Sequence, residues 1–161
     1  MTAPKRRTKP PVGWREWVVL PELSPIPMKA KIDTGARTSA LHAFDLSIES
    51  HGGETWAQFE IHPVQRSADR STRVRYPVAG FRRIRSSTGH TESRPMIRTQ
   101  VKIGSVAYSI DITLTGRDEM GFRMLLGRQA IRRKFVVDPG RSFLQTPPTE
   151  PDPTDQETTH P

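Results

Sequence analysis

Apolar and polar residues alternate most regularly between positions 97 and 114. Ile97, Thr99, Val101 and Ile103 are separated by Arg98, Gln100 and Lys102, and after Gly104-Ser105 the alternation resumes through Val106, Tyr108, Ile110, Ile112 and Leu114. A period of two sends successive side chains to opposite faces of an extended chain, so this stretch predicts a long hairpin with one apolar face. Ala57, Phe59 and Ile61, set against Gln58, Glu60 and His62, predict another strand. Shorter strands are expected at Trp17–Leu20, Leu46–Glu49, Val74–Val78 and Phe135–Val137. Helix is expected only at Arg128–Arg133, following the turn at Gly127. Many short strands with hardly any helix make an all-β barrel or sandwich, and no motif occurs twice.

The chain has 161 residues, enough for one domain that buries roughly two-thirds of its unfolded surface. The ends change the picture. Residues 1–11 carry Lys5, Arg6, Arg7 and Lys9 among three prolines and read as a flexible basic arm without a signal peptide or membrane anchor. Residues 145–161 are rich in Pro, Thr, Asp and Glu and read as a disordered acidic tail. The folded domain is therefore expected at residues 12–144. The whole chain has net charge +8, whereas residues 1–144 hold 25 bases against 13 acids, about +12. Such a field favours acidic partners, whether polypeptide, nucleic acid (the ribosome included) or anionic membrane, without choosing among them. The absence of cysteine excludes disulfides and thiolate chemistry and suits the cytoplasm.

The candidate chemistry lies where Lys29-Ala30-Lys31-Ile32 reads as a strand running into Asp33-Thr34-Gly35-Ala36. A carboxylate on the tight turn after a buried strand is held rigidly, and a glycine beside it lets backbone approach closely. Thr34 adds a hydroxyl able to bond backbone across an interface. Some 90 residues on, Met124-Leu125-Leu126-Gly127-Arg128 is an apolar strand ending in Gly-Arg. This pair of segments resembles the retropepsin-like aspartic peptidases. Trp14-Arg15-Glu16-Trp17-Val18, the run from Lys29 to Ala43, Glu92-x-Arg94 and Leu114-Thr115-x-Arg117-Asp118-x-Met120 extend the resemblance to a bacterial branch often labelled ATP-dependent zinc protease. Gly116 stands where that branch usually has Asn.

The resemblance implies a small closed retropepsin-like (acid protease) barrel with one short helix near the C-terminus, and a homodimer. The chemistry points the same way. Aspartic peptidases use two carboxylates about 3 Å apart that share a proton, and this chain has one such motif, so a second Asp33 must come from another copy. By resemblance Asp33 is the catalytic residue. Thr34, Gly35, Ala36, Leu126, Gly127 and Arg128 then support the dyad and the dimer contact. The arginine-rich segment 81–92 stands where a retropepsin has its flap, with Arg82, Arg83, Arg85, Ser87, Thr88 and Gly89 as substrate contacts. The branch resembles peptidases associated with an ATP-grasp ligase that adds glutamates to a ribosomal protein, which implies an acidic or glutamate-modified substrate.

Neither metal nor nucleotide cofactor is expected. His42, His51, His62, His90 and His160 form no His-Glu-x-x-His and fall on separate elements. The glycine-spaced run from Gly116 to Arg123 has Phe122 and Arg123 in place of the Lys and Ser/Thr of a phosphate loop. A basic barrel that binds nucleic acid or the ribosome without catalysis is the alternative, drawing on Trp14, Trp17, Trp56 and Tyr76, and a zinc-dependent protease is a lesser one.

Overall fold

A computed structural model describes residues 8–64, 67–86, 88–116 and 121–145. The chain runs through β1 (Pro11–Val12), β2 (Arg15–Leu20), β3 (Ser24–Asp33), β4 (Ser39–His42), β5 (Phe44–His51) and β6 (Glu54–Ile61). It continues through β7 (Thr72–Pro77), β8 (Gly80–Arg85), β9 (Thr91–Ile103), β10 (Val106–Thr115), β11 (Met124–Gly127), α1 (Arg128–Ile131) and β12 (Val136–Val137). Each strand expected from alternation is present, with bounds moved by a few residues. The helix ends at Ile131, two residues before the expected limit, and passes into a turn.

Six strands close on themselves in the order β2, β3, β11, β4, β10, β9, and β2 meets β9 where Val19 faces Lys102. The fold is thus the closed barrel that the resemblance implied. The long β9–β10 hairpin supplies two adjacent staves in the register Ile103↔Val106 to Met96↔Thr113. Its two-residue turn needs a left-handed residue, and Gly104 provides it at φ +59. The near half of β9 leaves the barrel and pairs with β8.

A three-stranded sheet, β5-β6-β7, covers the barrel. The inward face of β6 (Ala57, Phe59, Ile61) joins the barrel's own Leu20, Met28, Leu41, Ile97, Ile112, Leu114, Met124 and Leu126 in one core. Each fully buried large aliphatic or aromatic side chain contributes about 1.5–3 kcal/mol.

The chain ends close on each other. β1 pairs in parallel with β12, and Lys9 Nζ donates to the Arg132 carbonyl at 2.7 Å. Gln145, expected to open the disordered tail, is instead packed, its Nε2 donating to the Pro11 carbonyl. The clasp is Glu16, 1% exposed, whose carboxylate accepts from the backbone N–H of Gly13 (2.8 Å), Leu144 (2.7 Å) and Gln145 (3.3 Å). Glu16→Ala should cost about 2–4 kcal/mol in urea unfolding, because three donors lose their acceptor, and Glu16→Gln should recover part of that. The rest of the expected arm and tail, residues 1–7 and 146–161, lie outside the described residues.

Candidate active site

Asp33 is the last residue of β3 and is half-buried. Its Oδ1 accepts the backbone N–H of Gly35 at 2.9 Å and of Ala36 at 3.2 Å, and Ala36 N–H also reaches the Asp33 carbonyl at 3.3 Å. One carboxylate oxygen is therefore tied into its own turn, which fixes the plane of the group. A Cβ on Gly35 would lie 3.2 Å from that oxygen. At the other edge Trp14 steadies the strand: its carbonyl accepts Ile32 N–H at 2.8 Å, and its ring meets Phe122 edge to face.

The turn rests on β11. That strand lies between β3, to which it is parallel, and β4, to which it is antiparallel, so that Gly127 stands level with Asp33. Parallel neighbours end on the same side, and the loop leaving β3 can fold across the end of β11. Ala36 carbonyl accepts Arg128 N–H at 2.7 Å, and Arg37 carbonyl accepts Gln129 N–H at 3.2 Å. Ser39 Oγ accepts Gly127 N–H at 3.1 Å, and Arg128 Nη1 donates to the Thr34 carbonyl at 3.1 Å. Leu126 is fully buried beneath. A Cβ on Gly127 would stand 2.5 Å from the Thr38 carbonyl carbon and oxygen, so only glycine fits. Asp33, Thr34, Gly35, Ala36, Leu126, Gly127 and Arg128, chosen from the sequence, thus come together in one structure.

Thr38 and Ser39 belong to it too. They stood inside the family-like run without a role of their own. Their part depends on β4 lying beside β11, where Thr113 Oγ1 also donates to the Ser39 carbonyl at 3.0 Å. Nothing in local periodicity signals that arrangement.

β8 and β9 form the hairpin expected as a flap, paired from Gly80↔Met96 to Arg85↔Thr91. Its tip is closed by Ser86 N–H to the His90 carbonyl and Gly89 N–H to the Ser86 carbonyl, with Gly89 at φ +86 and the Ser86 and Thr88 hydroxyls 2.8 Å apart. Ser87 lies outside the described residues. Alternation divides the arginines. Arg83 and Arg85 share an exposed face with Phe81, whereas Arg82 turns to the opposite face, donating to Met96 Sδ and lying 3.7 Å from Asp111.

His42, His51, His62 and His90 do not converge, and among the described residues no three His, Asp or Glu side chains are placed to hold a metal ion. His42 is buried, its ring stacked on Phe44, which stacks in turn on His62. No helix among the described residues is long and apolar enough to cross a membrane.

A model of the retropepsin-like aspartic endopeptidase RimB family matches residues 11–148. The chain belongs to that family. It is 42% identical over 132 residues to a protein of Shewanella pealeana named probable alpha-L-glutamate ligase, and 43% identical over 128 residues to one of the same name from Parasynechococcus marenigrum. The matches cover 82% and 80% of this chain but only 29% and 28% of those proteins, so it spans less than a third of the curated relatives it matches. The crystal structure of a Legionella pneumophila protein of unknown function has the same fold, with TM-score 0.69, 24% identity, and coverage of 84% of this chain and 98% of that one. Within the RimB-like family match fall both the Asp33 turn and its Gly127-Arg128 support.

Proposed function

We propose that this RimB-like protein is an aspartic endopeptidase that acts as a cytoplasmic homodimer on acidic, glutamate-rich polypeptides. The observation that carries the reading is the Asp33 carboxylate, oriented by the N–H groups of Gly35 and Ala36 on a turn locked to Gly127-Arg128. Two such turns, related by a twofold axis, set one Asp33 beside the other. Like charges that close cannot both ionise, so the pair holds one proton: the ionised carboxylate takes a proton from water while the protonated one donates to the scissile carbonyl. The two groups titrate together, and no single value belongs to either.

Exposed Thr34 and Gly35 at the turn, and Val136, 52% exposed on the two-stranded terminal sheet, leave surface for a second copy. The relatives named alpha-L-glutamate ligase and the charge of about +12 on residues 1–144 support a glutamate-rich substrate. Arg83 and Arg85 on the flap's outer face and Thr88 and Gly89 at its tip are the proposed substrate contacts. The alternative of a nucleic-acid surface loses support from its own aromatics. Trp56 lies under Arg75, and Trp17 is stacked on Phe143, so those rings are engaged within the chain.

Mixing wild-type protein with Asp33→Asn protein at constant total concentration tests the dimer. Once subunits exchange, cleavage of a glutamate-rich peptide should fall with the square of the wild-type fraction, because a mixed dimer has one carboxylate. A linear fall would show that each chain works alone. EDTA should leave the rate unchanged, and its loss on chelation would replace the Asp dyad with a metal site.

A further inference from the structure

Between α1 and the β9–β10 hairpin lies a cleft of about 200 Å³, lined also by Ser39 of β4. We propose that this cleft is a separate binding site for the carboxylates of an acidic polypeptide, an exosite that holds substrate while another stretch of the chain reaches Asp33. Its role as an exosite rests on the peptidase reading; its affinity for carboxylates does not.

Its lining is cationic. Arg98, Arg133 and Lys134 contribute three positive charges against one carboxylate, Asp111. Asp111 is already engaged by Arg98 at 3.0 Å and Arg82 at 3.7 Å, whereas among the described residues Arg133 and Lys134 form no ion pair. The Ser109 hydroxyl and the Gln129 amide add neutral hydrogen-bonding groups. A carboxylate side chain matches this set, taking charge-assisted hydrogen bonds from Arg133 and Lys134.

The same cleft suits a nucleic acid poorly. Among the described residues its one aromatic is Tyr108, whose ring has the Lys134 ammonium 5.3 Å from its centroid and whose hydroxyl donates to the Ala130 carbonyl at 2.8 Å, so a base stacking on that face would have to displace the ammonium. Burial of that phenol also pushes its pKa up to about 12, keeping it a neutral donor.

The cleft adjoins the catalytic turn through its own wall. Ser39 lines it and accepts Gly127 N–H, while Gln129 lines it and donates its backbone N–H to the Arg37 carbonyl. A polypeptide tethered here is presented to the site at high effective concentration.

The test uses amide NMR of the full-length Asp33→Asn protein, which binds without turnover, titrated with tetraglutamate at low salt. Saturable shifts are expected at Ser109, Gln129 and Arg133, and Arg133→Gln with Lys134→Gln should weaken binding roughly fivefold. Weakening of less than twofold, or no saturable shift at these amides, overturns the site. Shifts confined to β8 and the Asp33 turn overturn it while leaving the peptidase reading intact. Shifts at the cleft combined with wild-type protein that cleaves no glutamate peptide leave this site standing and overturn the peptidase reading. An octauridine RNA that displaces tetraglutamate from the same amides at lower concentration overturns the choice of an acidic polypeptide.

Discussion

Asp33→Asn should abolish cleavage of a glutamate-rich peptide, by roughly 10⁴-fold or more, with thermal stability and oligomeric state kept close to wild type. Asparagine is nearly isosteric, and its side-chain oxygen can still accept the Gly35 and Ala36 N–H groups that Oδ1 accepts now. What it cannot do is ionise. A pair of amides neither takes a proton from water nor shares one, so the two-carboxylate mechanism ends while the turn survives. Rates measured with a chromogenic peptide, beside circular dichroism and sedimentation of the same preparation, check both halves. Undiminished cleavage would remove Asp33 from the chemistry altogether.

Gly127→Ala is expected to act through structure. The added Cβ would meet the Thr38 carbonyl carbon and oxygen at 2.5 Å and its nitrogen at 2.9 Å, all backbone atoms that no rotamer change can move. Either the loop from Thr34 to Thr38 lifts or β11 slides against β3, and both displace Asp33, the residue level with Gly127. Overpacking of this kind costs about 2–4 kcal/mol, which lowers Tm by roughly 10 °C in a domain this size. Activity should fall further than stability, because the bonds from Arg128 and Gln129 to the Ala36 and Arg37 carbonyls are strained together. Gly116→Ala is the control. Among the described residues nothing lies within 4 Å of a Cβ there, and the change should stay within about 0.5 kcal/mol. Equal melting temperatures for the two variants would show that the Gly127 contact yields easily.

The two positions differ in how far the sequence exposes them. The turn bearing Asp33 is legible because strand, turn and glycine are neighbours in the chain, and its catalytic role is read from the resemblance that the paired Leu125–Arg128 segment carries. Gly127 is legible only through family resemblance: its need for glycine comes from Thr38, a residue far away in sequence. β4 escaped notice for a related reason. All four residues from Ser39 to His42 are buried, so the strand has no polar face and shows no alternation. Glu16 and Arg94, 1% and 8% exposed, are charged residues whose burial no local pattern signals. Glu16 is buried because the distant backbone N–H groups of Leu144 and Gln145 converge on it beside that of Gly13, and Arg94 packs with Glu92 at 3.4 Å.

From the sequence alone follow the β-rich class, the β9–β10 hairpin, the turn bearing Asp33 and the basic character of the chain. These depend on periodicity, on turn residues and on composition, all local properties. Tertiary structure decided that six strands close, that β11 enters between β3 and β4, that Glu16 clasps the chain ends, and that Arg82 parts from Arg83 and Arg85. Each of these depends on which distant segments meet, and pairing across long separations is set by the packing of the whole core.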